Sequence, residues 1–271
     1  MEAKKVLFIS QEVAPYLPET PMSVLGRDVP QGIHGKEFEV RSFTPRYGCI
    51  NERRNQLHEV IRLSGMNLII DDADHPLIIK VATLLPSRMQ VYFIDNDDYF
   101  QPMPEKGLET DLLPSDNDER VMFFTMGVIE TVKKLRWQPA VIHCSGWVSA
   151  LAPLYLRRKY NDDPTFRNSK IVFALHPEKF EGTLDPRFVE KLIMSEFTED
   201  DLRIFGNEPV DFKKLNKLAM EYADAIIQVT DDVDPELVEY AASTGKPFLP
   251  YDASEPRSAQ YVNFYRTLTE E

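Results

Sequence analysis

Cysteine is scarce: the 271 residues contain two, Cys49 and Cys144, far apart and without CxxC spacing. That excludes a disulfide scaffold and a paired-cysteine metal or redox motif, and it suits a reducing cytoplasm better than secretion. Cys144 ends an apolar run and reads as a buried structural thiol. Long hydrophobic runs are missing too. Nothing approaches the ~20 apolar residues of a membrane span, and the run after Met1-Glu2-Ala3-Lys4-Lys5 is too short for a signal-peptide core. Positive charge is also in deficit. With 31 Lys and Arg against 44 Asp and Glu, the formal net charge is −13, which argues against nucleic acid or an anionic membrane as partner. The chain has no Walker loop, GxGxxG, GxSxG, HExxH or Cys/His metal spacing, and no internal repeat or low-complexity segment. A cytoplasmic protein without cofactor or metal is the expectation.

What is present is an alternation of short apolar runs and helical patterns. Val6–Ile9, Phe38–Phe43, Asn67–Ile70, Leu77–Ala82, Val91–Ile94, Ala140–Cys144, Ile171–Leu175 and Ala225–Val229 read as strands. Asp118–Leu135 is a helix with Val121, Phe124, Val128, Val132 and Leu135 on one face and Asp116 or Asn117 as cap. Trp147–Tyr160, Phe212–Tyr222 and Asp234–Thr244 are further helices, the last stopped by Gly245. Such alternation predicts a mainly parallel α/β sheet covered on both faces. Strand signals between 58 and 95 lack intervening helices, so an antiparallel excursion is expected there, and Gln101–Asp116 reads as a surface loop.

In open α/β sheets ligands bind at the carboxyl ends of the strands, so those positions supply the candidates. The loop from Ser10 to Pro30 has Gly26 and Arg27 as its anion-binding candidates, but Pro18, Glu19 and Pro21 suit a rigid structural loop. His143 closes a strand, as a packed core residue or as a ligand contact, and Ser145, Gly146 and Trp147 open the following helix. His176 ends the Ile171–Leu175 strand, projecting toward ligand or capping the loop with hydrogen bonds. Asp95–Asp98 and Asp231–Asp232 read as solvated turns or helix caps rather than a Ca²⁺ site.

Taken in order, several segments resemble the bacterial glycogen synthase and plant starch synthase family. They are Lys5–Phe8, Glu12–Pro15, Pro45–Gly48, Val91–Phe100, Asp116–Arg120, Trp137–His143, Trp147–Leu156, Phe173–His176 and Tyr222–Val229. The resemblance runs from residue 5 to about 230. It implies a GT-B glycosyltransferase that adds glucose from ADP-glucose to an α-1,4-glucan, without metal, in the cleft between two Rossmann-like halves. Only the N-terminal half is matched. Position by position, the family's Lys-Thr-Gly-Gly-Leu loop falls on Pro18-Glu19-Thr20-Pro21-Met22, and its His-Asp-Trp-His falls on Ser145-Gly146-Trp147-Val148. His176 matches the His of a His-Asn pair that contacts the transferred sugar, and Pro177 replaces the Asn.

The expected organisation is one Rossmann-like domain over 1–250, the N-terminal half of a GT-B fold with an inserted antiparallel excursion. A helical tail over 251–271 is expected to pack on it, with Tyr261, Phe264 and Tyr265 covering the surface a second half would cover or forming a dimer contact. His176 is the catalytic candidate, and His143, Ser145, Gly146, Trp147 and Arg27 are the substrate-binding ones. The expected function is a glucosyltransferase half-domain inactive alone or, alternatively, a non-catalytic module binding glucan or protein. The expected partners are an α-glucan or nucleotide sugar, and a protein supplying a second domain or a further copy of the chain.

Overall fold

The first strand shows why the sheet forms. In β1 (Lys4–Ser10) every residue from Val6 onward is buried, which demands cover on both faces and a paired strand on each side. Parallel partners supply it: β2 (Phe38–Pro45) sets Leu7 against Arg41, and β7 (Val141–Ser145) sets Phe8 against His143. The computed structural model describes residues 3–35, 37–100 and 116–270.

Beyond β2 lies β6 (Met89–Asp95), and beyond β7 lie β8 (Lys170–Leu175), β9 (Ala225–Gln228) and β10 (Phe248–Leu249), all parallel. The excursion is β3 (His58–Glu59), β4 (Met66–Ile70) and β5 (Ala73–Leu84), joined antiparallel to β6 through β5. The strand order is β10-β9-β8-β7-β1-β2-β6-β5-β3, with β4 paired to β5 beside this path. The expected Rossmann-like sheet with its antiparallel insertion is therefore present.

The chain steps from β1 toward β2 in one direction and later from β7 toward β8 in the other. Right-handed crossovers then place the connecting helices on opposite faces. The helix α1 (Pro21–Ile33) lies on the first face, while α3 (Asn117–Lys134), α4 (Ala152–Arg158) and α6 (Phe212–Tyr222) lie together on the second. Short α2 (Asp97–Phe100), α5 (Phe188–Met194) and α7 (Pro235–Ser243) fill the connections, the last followed by Gly245 at φ 69°. The last helix, α8 (Arg257–Thr269), returns to pack beside α1, with Ser258 against Gly32, Thr269 accepting from Lys4 Nζ at 2.8 Å, and Arg266 paired with Glu37. No helix among the described residues is long and apolar enough to cross a membrane.

Several sequence expectations need correction. The Ser10–Pro30 segment is only partly loop: Thr20 caps α1 by accepting from Ser23 N, and Pro21 occupies the first turn, where its missing N–H costs nothing. The helix expected over Trp147–Tyr160 splits into a 3₁₀ turn (Trp147–Ser149) and α4, because Pro153 fits only a helix's first turn. The acidic turn at Asp95–Asp98 is solvated only in part. Asp95 is buried between Arg46 Nε and Lys80 Nζ, each at 2.9 Å, and buried Asn96 accepts from the amides of Asp98 and Tyr99. The loop expected over Gln101–Asp116 lies, up to residue 115, outside the described residues.

Asp95 joins β6 to β2 and β5 by charge, at ion-pair rather than aligned hydrogen-bond geometry to Arg46. Replacing it by alanine leaves the buried Arg46 guanidinium with only the more exposed Glu52, 3.4 Å away, as counter-ion. Asp95→Ala is expected to lower unfolding stability by about 3 kcal/mol, measured from urea midpoints.

Candidate functional site

The strand order reverses between β1 and β7, so the carboxyl ends of these strands open the crevice where doubly wound sheets hold ligands. Gln11 N donates to Ser145 O at 3.1 Å, closing the strand ends together. Gly146 follows at φ 83°, a conformation that an L side chain rarely adopts, and an added Cβ would meet Gln11 Oε1 at 2.6 Å. The chain turns there, and the same Gln11 oxygen accepts from Val148 N at 3.4 Å.

His143, Ser145 and His176 come together. Ser145 Oγ lies 2.7 Å from His176 Nε2, and both residues are buried. Glu178 Oε2 faces His176 Nδ1 at 3.6 Å, beyond hydrogen-bond reach but within ion-pair range. Two residues earlier on β7, His143 Nδ1 meets the hydroxyl of Tyr265 at 2.8 Å. Phe8 and Tyr261 flank the imidazole, with ring centres 4.7 and 5.5 Å away.

Electrostatics fix the protons around His143. Burial, helped by nearby His176, pushes its pKa from 6.5 down to about 3, so it is neutral through the ordinary pH range. Burial also drives Tyr265 well upward, so its phenol keeps its proton. The neutral imidazole and the protonated phenol therefore share one hydrogen bond between Nδ1 and the hydroxyl, its donor set by the His143 tautomer. Burial also raises Cys144, leaving an inert thiol.

Ser145 and His176 have the geometry of a hydroxyl with an adjacent base. The space they share is narrow, however. Phe8, Gly26, Val29, Val229 and Tyr261 surround it, and the cavity measures about 10 Å³. That is room for at most one water. Gly26 holds the lid down: a Cβ there would sit 2.1 Å from Glu12 O, so only glycine lets α1 lie this close to the β1 loop.

The other two candidates lie elsewhere. Trp147 is buried edge-on against Phe180, with ring centres 4.9 Å apart. Arg27 points outward from α1, held by Asp28 at 2.6 Å and Glu19 at 3.1 Å, and lines a separate groove of about 780 Å³. Sequence reasoning missed Gln11 and Glu178. Glu178 stands two residues after His176, and that proximity was the available signal. Among the described residues no group of three or more His, Cys, Asp or Glu side chains could hold a metal.

The family model for the starch synthase catalytic domain matches residues 5–246. The chain belongs to the glycogen synthase and starch synthase family. Glycogen synthase of Chlorobium phaeobacteroides is 34% identical over 234 residues, 82% of this chain and 47% of the relative. That of Chlorobium luteolum is 37% identical over 196 residues, 71% of this chain and 40% of the relative. The chain thus spans less than half the length of these curated relatives. The catalytic domain of starch synthase IV from Arabidopsis thaliana, bound to ADP and acarbose, superposes with a TM-score of 0.72 at 17% identity. That match covers 92% of this chain and 51% of the other and shows the shared GT-B fold.

Since folded His143 binds its proton only near pH 3 and an unfolded one near 6.5, the unfolded state takes up the proton first on acidification. This contribution is intact above about pH 6.5 and lost as pH falls toward 3, at up to about 1.4 kcal/mol per pH unit. Urea midpoints of the wild type should fall across this window, and those of His143→Gln should fall less steeply. Tyr265→Phe, which leaves Nδ1 without its hydrogen-bond partner, should cost about 1–3 kcal/mol at pH 7.

Proposed function

We propose that this domain holds an α-glucan in the cytoplasm without transferring glucose to it. The observation behind this reading is the narrow cavity of about 10 Å³ at the strand ends beside His176, where the family resemblance would put the transferred sugar. Ser145 and His176 satisfy each other there instead of presenting polar atoms to a ligand. Transfer also needs donors aimed at developing charge. Where the family resemblance puts a Lys, two glycines and a second His, this chain has Pro18, Thr20, Pro21, Met22 and Val148 in or beside those places. Pro21 offers no N–H, and Met22 and Val148 are apolar and buried.

Glucan retention is supported by the groove of about 780 Å³ beside α1. It is lined by Arg27, Gln31, Arg54, Asn55, Gln56 and His58. Gln31 donates within the protein to Leu85 O and Ser87 Oγ, and the Arg54 guanidinium and Gln56 carboxamide are the forked donors that suit vicinal hydroxyl groups. Arg54, Gln56 and His58 are exposed, so a chain of sugars could lie across them.

Incubation with glycogen and ADP-glucose labelled in the glucose, followed by sedimentation, separates the two parts of this reading. The protein should pellet with glycogen, Arg54→Ala should pellet less, and incorporated label should match a no-enzyme blank. Label incorporated above a His176→Ala control contradicts the non-transferring assignment. Protein that stays in the supernatant contradicts the glucan assignment.

A further inference from the structure

Among the described residues, the β4 strand has one unpaired edge. It joins β5 through a two-residue turn, Asp71-Asp72, at φ 47° and 61°. In such a hairpin the flanking residues, here Ile70 and Ala73, form a hydrogen-bonded pair, and such pairs alternate along the ladder. The partners agree: opposite Asn67 stands Pro76, which has no N–H and whose carbonyl accepts from Asn96 Nδ2 at 2.9 Å. Met66, Leu68 and Ile70 therefore bond to β5, while Asn67 and Ile69 direct N–H and C=O to the other side. Among the described residues β4 pairs with β5 alone.

A groove of about 420 Å³ runs along this edge. Met66, Asn67, Leu68 and Ile69 all line it. Successive strand side chains point to opposite faces, so four consecutive lining residues place the groove along the edge rather than over a face. Across it lie Tyr160 and Met194. Ile69, 61% exposed, and Met194, 41% exposed, are among the few large hydrophobics left open to solvent. An exposed, uncharged strand edge without Lys or Pro is what soluble proteins usually cover.

Charge indicates the kind of cover. Asp71, Asp72, Glu130 and Glu196 line the groove, against the single ammonium of Lys159. Arg187 offsets Asp71, Lys159 offsets Glu196 and Lys133 offsets Glu130, but no cation among the described residues pairs with Asp72 at the turn. We propose that this edge docks an extended segment of another polypeptide, bearing alternate apolar side chains and Lys or Arg. The segment adds as a strand beside β4, bonding to the N–H and C=O of Asn67 and Ile69, with its apolar side chains against Ile69 and Met194. Its cations face the hairpin acids. This site lies apart from the strand ends and from the proposed glucan groove, so it stands or falls independently of both.

The test titrates the ¹⁵N-labelled full chain with two capped synthetic heptapeptides, one alternating Val and Lys, the other Val and Glu. The Val/Lys peptide should shift the Asn67 and Ile69 amides saturably and slow their hydrogen exchange, and the Val/Glu peptide should bind at least about tenfold more weakly. Asn67→Pro should abolish the response with little change in melting temperature, because that N–H bonds nothing on β5. Ile69→Lys, on the exposed face, should weaken it while the fold persists. The proposal is overturned if residues 66–70 do not respond to the Val/Lys peptide, or if both variants respond as the wild type does. It is also overturned if concentration alone shifts these amides without peptide, since a second copy would then occupy the edge.

Discussion

The hydroxyl of Tyr265 on His143 Nδ1 is the contact on which the strand-end arrangement depends. It joins a residue of α8 to one on β7 that lies 122 positions earlier in the chain. With that bond in place Tyr261 lies over the imidazole, His143 is held neutral by burial, and Ser145 is left to pair with His176. A buried imidazole without that partner would carry the cost of an unsatisfied polar atom, so burial and hydrogen bonding reinforce one another.

The residues that give the family resemblance mostly hold the fold. Glu12 accepts from the hydroxyl of Thr20, tying the β1 loop to the cap of α1. Arg46 meets Asp95 across β2 and β6, and Trp137 Nε1 donates to Glu39 at 2.9 Å. Asp118 and Glu119 take Lys191 at 2.9 and 2.6 Å, anchoring α5 to the start of α3. These pairs give the ordered set of motifs a role in holding the fold, separate from any ligand at the strand ends.

The parallel strands were legible because burial on both faces requires continuous apolar runs such as Val6–Ile9 and Ile171–Leu175. Helix α1 was not, since Pro18, Pro21 and Pro30 mark a loop when read as a string. In space Pro21 is a favourable first-turn residue, and Pro30 is accommodated near the helix's end. Asp95 looked solvated beside its acidic neighbours, because its partners Arg46 and Lys80 are remote in sequence. At the site, His143, Ser145 and His176 were legible from their places at strand ends. Their confinement was not, because it is imposed by α1 and α8 through long-range packing that no local pattern encodes. Arg27 shared a segment with Gly26, yet the helix sends one outward and the other onto the β1 loop.

The most direct measurement is an amide shift map of the chain titrated with ADP-glucose. A strand-end cavity this narrow predicts no saturable change at Gln11, Gly146, Trp147 or His176 up to millimolar nucleotide sugar. Saturable shifts at those residues, accompanied by loss of the Tyr265–His143 contact as α8 moves away, would contradict it.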